Sequence, residues 1–296
     1  MTSSCSKESK TMTPKELMIA VYTCPRKPAY VDSALATLYM SGPEIFDADV
    51  RLVVDHRDPS SFLRHYTVCP NLPIKIYPLT EEEYQYIEKV QDSLSKRLIA
   101  QKYDGPTTGL SARVGYTYAR CLSLPGDHIG SLLIEDDCIV KPGMLHWLMK
   151  AIEEVESNGN IEYIITLNTH SFVPAFNPAL HAGEYTCRYE YRFGLQGIYF
   201  KRAIGRELAS YMLQHLEGNP ADFTLAHFLG ELERKLNAKG IKQAAVAYSV
   251  FYDQVEHIGE FSTGLGGGWC WCSPTFALPS ITRSEYLAQK VSGGAK

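Results

Sequence analysis

The segment Ser131–Val140, SLLIEDDCIV, carries the clearest indication of the fold. Its first four residues form a short, largely apolar run typical of a buried strand. Three consecutive acids follow, and the chain becomes apolar again at Cys138. In open α/β sheets, ligands bind beyond the carboxyl ends of the strands, where these acids would lie. The segment therefore predicts a strand that ends at a polar site.

The sequence on either side of this segment alternates between strand and helix patterns. Apolar and β-branched runs predict strands at residues 17–23, 50–54, 74–79, 131–134, 163–167, 197–201 and 244–251. Apolar residues at helical spacing predict helices at residues 30–39, 81–102, 111–124, 144–155 and 223–236. This alternation favours an α/β fold with a mixed, mostly parallel sheet flanked by helices.

Composition divides the chain into three predicted parts. Residues 1–16 are rich in Ser, Thr and Lys, which indicates a disordered N-terminal arm. Residues 17–265 contain neither a repeat nor a low-complexity linker, so we expect one α/β domain. From Gly264 the chain carries a glycine cluster, GLGGGW, and then loses regular patterning, so residues 266–296 are predicted to form a C-terminal flap and tail.

Length and charge exclude several classes of protein. The 296 residues are 45% hydrophobic and 21% charged, as in ordinary globular proteins, and they suffice to bury a core without disulfides or metals. The net charge of −4 argues against binding nucleic acid mainly by bulk charge, although a local basic groove remains compatible with it. No apolar run approaches the roughly 20 residues of a membrane helix, and the first residues lack the apolar stretch of a signal peptide. A cytoplasmic protein without membrane insertion is expected.

The eight cysteines fit such a compartment as free thiols. Cys270 and Cys272 form a C-x-C pair, but a zinc ribbon needs a second pair of the C-x-x-C type. Structural zinc or a functional disulfide is the less favoured interpretation.

The acids Glu135, Asp136 and Asp137 are the first candidate site. Three adjacent carboxylates repel one another and raise each other's pKa. A divalent cation such as Mn²⁺ or Mg²⁺ offsets the repulsion and attracts phosphate oxygens. The alternative is an acidic turn that points into water.

A second candidate lies in the segment 250–264, VFYDQVEHIGEFSTG. His257 follows a predicted strand, and an imidazole can complete a hard-ion site built on carboxylates. Ser262 and the nearby glycine amides could hold a diphosphate. The alternative is a buried histidine at a strand end.

Weaker candidates lie after the first two strands and at the beginnings of two helices. Thr23, Pro25 and Arg26 lie in the turn after the first strand, where a cation near a helix N-terminus suits an anion. Asp55 follows the second strand and could accept hydrogen bonds from a base or a ribose. The remaining candidates are Arg113, which could meet a phosphate, and Asp222, which suits either a general base or a helix N-cap.

The order of these motifs resembles the glycosyltransferases of the GT-A (Rossmann-like) fold, which use nucleotide-sugar donors and usually Mn²⁺ or Mg²⁺. The chain contains T-x-P-R after the first strand, V-V-D after the second, then E-D-D, an acid before a helix, and H-I-G-x-x-S-T. The E-D-D form with a late H-I-G is most similar to the N-acetylglucosaminyltransferase IV family and its relatives. The resemblance covers residues 17–265.

The resemblance implies roles for particular residues. Asp137 and His257 would hold the metal, and Glu135 and Asp136 would contact the donor sugar and the ribose. Asp222 would be the general base of an inverting transfer. Thr23, Pro25 and Arg26 would form the loop over the nucleotide, and Asp55 would lie near its base. Gly197 would let the acceptor-side strand approach the donor closely. The segment 264–268 with Trp269 would form a flap over the donor.

The resemblance thus implies a metal-dependent hexosyl- or N-acetylhexosaminyltransferase that uses a nucleotide sugar, commonly UDP-linked. Secretory members of the family carry a membrane anchor and disulfides, whereas this sequence suggests neither, so their N-glycan acceptor is not expected here. The acceptor hydroxyl could belong to a glycan, a protein, a small glycoside, a lipid-linked sugar or a modified nucleic-acid base. Two alternatives remain: a nucleotidyltransferase of similar topology, and an inactive domain that only binds a nucleotide sugar.

Overall fold

The computed structural model of this protein describes residues 12–24, 30–58, 73–100, 109–168, 183–188, 194–217, 220–243, 245–259 and 276–293. Within these ranges the chain forms ten strands: β1 Leu17–Thr23, β2 Asp49–Val54, β3 Lys75–Pro78, β4 Gly130–Glu135, β5 Cys138–Val140, β6 Ile164–Thr166, β7 Thr186–Arg188, β8 Ile198–Lys201, β9 Ala247–Val250 and β10 Val255–His257. The helices are α1 Val31–Tyr39, α2 Glu81–Ala100, α3 Gly109–Leu122, α4 Met144–Ser157, α5 Arg202–Gln214, α6 Ala221–Ala238 and α7 Arg283–Gly293. Short 3₁₀ helices lie at Pro14–Glu16 and Pro43–Phe46.

Eight of the described strands form one sheet in the order β3-β2-β1-β4-β8-β6-β9-β7. β1 pairs in parallel with both β2 and β4, and β2 pairs in parallel with β3. β8 is antiparallel to β4 and β6, and β7 is antiparallel to β9, so the other six described strands of this sheet share one direction. The prediction of a mixed, mostly parallel α/β sheet is confirmed.

Both faces of the sheet are buried at β1, which explains why this strand is largely apolar rather than apolar only at alternate residues. Leu17, Ile19 and Val21 belong to the core that also contains residues of α1 and α4. The alternate residues Met18, Ala20 and Tyr22 belong to a second core with residues of α3, α5 and α6. Helices therefore flank the sheet on both faces, as predicted.

The segment after β4 folds into a second, smaller sheet. β5 pairs in antiparallel fashion with β10, and His257 lies opposite Cys138 in this pair. Each of the two strands is only three residues long, so no local sequence pattern indicated them. Their pairing joins segments that are more than 100 residues apart in the sequence.

Two helices were not predicted from the sequence. α5 follows β8 directly, and α7 lies in the tail that we expected to be irregular. A capping box starts α7: the Thr282 backbone N–H donates to Glu285 Oε2 at 2.6 Å, and the Glu285 N–H donates to Thr282 Oγ1 at 3.3 Å. The T-x-x-E pattern at 282–285 was therefore a readable signal for this helix.

Candidate functional site

The parallel pairing of β1, β2 and β4 brings three predicted site residues to one edge of the sheet. Thr23 lies in register with Val54, and Tyr22 lies in register with Glu135. The backbone N–H of Asp55 donates to the Thr23 carbonyl at 2.8 Å. Because parallel strands end at the same edge, the candidates after three separate strands become neighbours.

Asp136 connects the acidic turn to β1. The Thr23 hydroxyl donates to Asp136 Oδ2 at 2.6 Å, and Asp136 is completely buried. The carboxylate of Asp136 thus faces the protein interior, in contrast to the half-buried Glu135 before it. In the described structure, Asp136 holds the turn in place rather than facing the solvent.

Asp137 and His257 meet across the small sheet. The Ile258 backbone N–H donates to the Asp137 carbonyl at 2.8 Å, which fixes the register of the two segments. His257 Nε2 lies 3.2 Å from Asp137 Oδ2, and both side chains are nearly buried. The pair joins the E-D-D and H-I-G motifs, which lie more than 100 residues apart in the sequence.

The acids and their neighbours fit a divalent cation. Glu135, Asp137 and Cys138 each offer one ligand atom, and these atoms lie within 4.8 Å of one another. Carboxylate oxygens suit Mg²⁺ and Mn²⁺, and Mn²⁺ also accepts the imidazole nitrogen of His257. Cys138 was not considered as a ligand from the sequence, because it lies in an apolar run.

Two residues that the sequence analysis missed hold the carboxylate of Glu135. The Tyr22 hydroxyl donates to Glu135 Oε1, and Gln196 Nε2 donates to Oε2 at 2.9 Å. Burial and the nearby Glu135 raise the pKa of Tyr22 well above its usual range, so its hydroxyl stays a neutral donor. Tyr22 lies inside the apolar β1, and nothing in the sequence distinguishes it from an ordinary core tyrosine.

Arg113 binds Asp55 at the end of β2. Arg113 Nε and Nη2 contact the two carboxylate oxygens of Asp55 at 2.5 and 2.8 Å, a bidentate pair. The hydrogen bond with Asp55 raises the pKa of Arg113. The guanidinium also lies 5.5 Å from the ring centre of Tyr84, on α2. Two candidates from distant segments therefore form one structural unit.

We expect Arg113→Met to lower the free energy of unfolding by about 1–3 kcal/mol, because it removes both hydrogen bonds of the guanidinium to the Asp55 carboxylate. Asp55 is only 4% exposed, so water cannot replace the lost donor. Arg57→Met is the matched control, since Arg57 also lies over Tyr84, at 5.3 Å, but pairs with Glu88 at the surface. The control should cost at most about 1 kcal/mol. Urea denaturation of both variants tests this, and equal costs would contradict it.

Asp222 lies in the first turn of α6, where Pro220 rather than Asp222 is the N-cap residue. Asp222 is therefore not the N-cap residue itself, but its carboxylate accepts a hydrogen bond from the Phe223 backbone N–H in the same turn, at 2.9 Å. Burial raises the pKa of Asp222 despite hydrogen bonds from the backbone N–H groups of Phe223 and Gly194. A carboxylate with a raised pKa suits proton abstraction.

The segment 194–197 connects Asp222 to the acidic turn. The Gly194 backbone bonds to Asp222, whereas the Gln196 side chain donates to Glu135 at 2.9 Å. Residues two apart span at most about 7 Å of backbone, so one short segment contacts both carboxylates. Gly197 has φ +62°, and a Cβ there would lie 2.7 Å from Val255 Cγ2. Glycine at position 197 thus permits close packing against the strand that carries His257.

Three predicted contacts with the nucleotide fall outside the described residues. Pro25 and Arg26 follow β1 in the sequence, and Ser262 follows β10. The predicted flap at 264–268 with Trp269 also falls outside them, as do Cys270 and Cys272. The cysteines that the structure does describe, Cys24, Cys121, Cys138 and Cys187, are free thiols.

Comparison with known proteins yields structural likenesses at low sequence identity. No protein-family model matches the sequence, and no curated protein matches it significantly. A 1–349 fragment of TarS from S. aureus aligns with a TM-score of 0.43 and 13% identity over 74% of this chain and 56% of the fragment. This chain thus spans little more than half the length of that protein fragment.

Two other solved structures align less well. Mouse xyloside xylosyltransferase 1 in its apo form has a TM-score of 0.38 and 12% identity, with 79% of this chain and 96% of that chain covered. A 4-diphosphocytidyl-2C-methyl-D-erythritol synthase from Anaerococcus prevotii has a TM-score of 0.38 and 9% identity, with 80% and 88% covered. At these levels of likeness, the comparisons indicate neither activity nor substrate for this chain. Among the residues that the structure describes, no helix is long and apolar enough to cross a membrane.

Proposed function

We propose that this protein is a glycosyltransferase that moves a sugar from a nucleotide-sugar donor to a hydroxyl acceptor with inversion. The observation that carries the proposal is the meeting of Asp137 and His257, at 3.2 Å, beside the carboxyl ends of β1, β2 and β4. A separate carboxylate with a raised pKa, Asp222, bonds to the backbone of Gly194, two residues from the Gln196 that donates to Glu135. Metal-ligand chemistry and a general base are thus provided by different side chains.

Asp137 and His257 would hold a Mn²⁺ or Mg²⁺ ion, with Glu135 in reach. A bound divalent cation neutralises the charge of a diphosphate leaving group. Tyr22 and Gln196 keep the Glu135 carboxylate in one orientation, which favours a defined contact with the donor. Asp55 and Arg113 pair at the carboxyl end of β2, and the nucleoside of the donor would lie beside them.

The proposed transfer moves one proton, forms one bond and breaks one bond. Asp222 takes the proton of the acceptor hydroxyl, and the acceptor oxygen forms a bond to the anomeric carbon of the donor sugar. The bond from that carbon to the diphosphate oxygen breaks on the opposite face, and the nucleoside diphosphate leaves with the electron pair. The anomeric configuration is inverted because a single displacement occurs.

The family and the donor sugar are part of the same proposal. The E-D-D and H-I-G motifs support a relative of the N-acetylglucosaminyltransferase IV family, which uses a UDP-linked hexose or N-acetylhexosamine.

We expect a nucleotide sugar to bind wild-type protein only when Mn²⁺ is present, and Asp137→Ala to weaken this binding about 100-fold or more. Loss of an outer-shell partner alone typically costs about 10–100-fold in metal affinity. Calorimetry with UDP-glucose, UDP-galactose, UDP-xylose and UDP-N-acetylglucosamine measures this. Asp92→Ala is the control, because Asp92 is an exposed acid on α2 that pairs only with Lys96 in the described structure.

Two results would contradict the proposal. Binding of every nucleotide sugar without metal, or unchanged binding by Asp137→Ala, would remove Asp137 from the site. Preferred binding of a nucleoside triphosphate over all the nucleotide sugars would favour a nucleotidyltransferase instead.

A further inference from the structure

We propose that Cys138 is a thiolate ligand of the metal site, and that its sulfur gives the site a selectivity for Zn²⁺ that its carboxylates alone would not provide. This inference rests on the metal site of the proposed function and adds a ligand and a metal preference to it. The sequence resemblance implies no cysteine ligand, because the E-D-D motif ends at Asp137.

The turn after β4 brings the Cys138 thiol to the acids. Asp136 and Asp137 lie between β4 and β5, and Cys138 is the first residue of β5. Cys138 Sγ lies 4.0 Å from Asp137 Oδ1, although successive side chains within a strand point to opposite faces of the sheet. The change of chain direction at the turn thus places two adjacent side chains at one site.

The ligand atoms lie close to the spacing that a metal ion requires. One atom each from Glu135, Asp137 and Cys138 lies within 4.8 Å of the other two. In a tetrahedral zinc site, bonds of about 2.0–2.3 Å place neighbouring ligand atoms roughly 3.3–3.8 Å apart. Small side-chain rotations close the remaining difference. Among the residues that the structure describes, no other group of three or more His, Cys, Asp or Glu side chains meets this spacing.

His257 adds a nitrogen donor on the other side of Asp137. Residues directly opposite each other in an antiparallel pair place their side chains on the same face, and Cys138 lies opposite His257. His257 Nε2 lies 3.2 Å from Asp137 Oδ2, whereas Cys138 Sγ approaches Oδ1. The Asp137 carboxylate thus lies between an imidazole and a thiol.

This mixed donor set determines which ion the site suits. Carboxylate oxygens alone suit Mg²⁺ and Mn²⁺, whereas thiolate sulfur and imidazole nitrogen suit Zn²⁺. Zn²⁺ accepts Cys, His and carboxylate ligands, and the thiol releases its proton to the solvent as the Zn–S bond forms. Cys138 is completely buried, and Asp137 and His257 are nearly so, which limits the access of competing water to the bound ion.

A buried cysteine that only fills space is the alternative, and Cys187 on β7 illustrates it. Cys187 is also completely buried, and its Sγ lies 3.2 Å from Ser249 Oγ. In the described part of the chain, Cys187 belongs to no group of metal-ligating side chains. Cys138 also contributes to an apolar core, but its sulfur approaches a carboxylate as well. Cys187 is therefore the matched control.

Co²⁺ is the spectroscopic probe for this site. A thiolate bound to Co²⁺ gives a charge-transfer band in the near ultraviolet that oxygen and nitrogen ligands do not give. We expect the full chain to show this band when it is titrated with Co²⁺, and Zn²⁺ to abolish the band by displacement. Cys138→Ser should lack the band, whereas Cys187→Ser and the double variant Cys270→Ser/Cys272→Ser should retain it.

Calorimetry measures the metal preference. Cys138→Ser should weaken Zn²⁺ binding at least about 10–100-fold, since even an outer-shell partner contributes that much. The same variant should weaken Mn²⁺ binding less than about 3-fold, because Mn²⁺ prefers oxygen ligands. Circular dichroism checks that the variant folds. If serine disturbs the core, Cys138→Ala takes its place, because alanine removes the sulfur without adding a polar atom.

Three results would overturn the inference. They are no thiolate band in the wild type, a band that both variants of Cys138 retain, and equal losses of Zn²⁺ and Mn²⁺ affinity. These measurements use no donor, so their failure is separable from failure of the proposed function. Donor binding that depends on Mn²⁺ and Asp137, without a thiolate band, would leave the glycosyltransferase in place and remove only Cys138. A thiolate band without binding of any nucleotide sugar would keep Cys138 as a ligand and remove the proposed function.

Discussion

Asp222→Asn is expected to lower the rate of sugar transfer by about 10²–10⁴-fold, the usual contribution of a general base. The amide is nearly isosteric with the carboxylate but cannot take the proton of the acceptor. Its carbonyl oxygen can still accept the hydrogen bonds that the Phe223 and Gly194 backbones donate to the carboxylate. The fold should therefore persist while turnover is lost. Release of the nucleoside diphosphate, measured with the donor that calorimetry selects, reports the rate.

The raised pKa of Asp222 also gives this variant a pH signature. A carboxyl group whose pKa is higher in the folded protein than in the unfolded chain favours folding when it is protonated. Its contribution is complete below the ordinary value of 3.8 and is lost as the pH rises through the folded pKa. Asp222→Asn should therefore be at least as stable as wild type at pH 7, and its relative advantage should shrink at acidic pH. Thermal unfolding between pH 3 and 8 measures this.

Asp32→Asn is the matched control for both effects. Asp32 is also an acid in the first turn of a helix, α1, but it belongs to neither the acidic turn nor the segment near Asp222. The control should change neither turnover nor stability beyond about 0.5 kcal/mol. Full activity in Asp222→Asn, or equal losses in the two variants, would refute Asp222 as the base. Retention of the donor's anomeric configuration in the product would refute the inversion.

Gly259→Ala is expected to weaken metal-dependent donor binding about 10–100-fold without changing any charge. A Cβ at position 259 would lie 2.6 Å from Asp137 Oδ2, closer than atoms can approach without displacement. The same oxygen lies 3.2 Å from His257 Nε2, so the methyl group must disturb this pair. Calorimetric titration of Mn²⁺ into the protein, with and without the donor, measures the loss.

Gly230→Ala is the control for the same substitution in open space. Nothing lies within 4 Å of a Cβ built at Gly230, which is in the interior of α6. Alanine there should stabilise the protein by about 0.5–1 kcal/mol, because glycine is a poor helix former. Unchanged metal binding by Gly259→Ala would show that Asp137 Oδ2 is not a ligand atom.

Local patterns predicted most of the regular structure. β1 was expected at 17–23 and lies at Leu17–Thr23, and the helix expected at 144–155 lies at Met144–Ser157. These elements carry strong apolar periodicity, which depends only on near neighbours in the chain. The unpredicted β5, β7 and β10 are only three residues long, too short to show a period.

Hydrogen bonds between distant residues could not be predicted in the same way. Glu154, on α4, accepts from the backbone N–H groups of residues 184, 185 and 186 at 2.6–3.0 Å, although it looks like a solvated helix acid in the sequence. Glu184 in turn accepts from Ser284 at 2.8 Å and connects β7 to α7. Such contacts depend on how helices pack on the sheet, which no short segment encodes.

The sequence by itself determined the sheet and the chemical types at its edge. Apolar runs that end in Thr23, Asp55 and Glu135 required buried strands with polar ends. Only the tertiary structure decided which of these groups act together. It buried Asp136 against Thr23, paired Asp55 with Arg113, and set His257 against Asp137 across more than 100 residues. The physical reason is that strand propensity is local, whereas the register of distant strands is set by the packing of the whole chain.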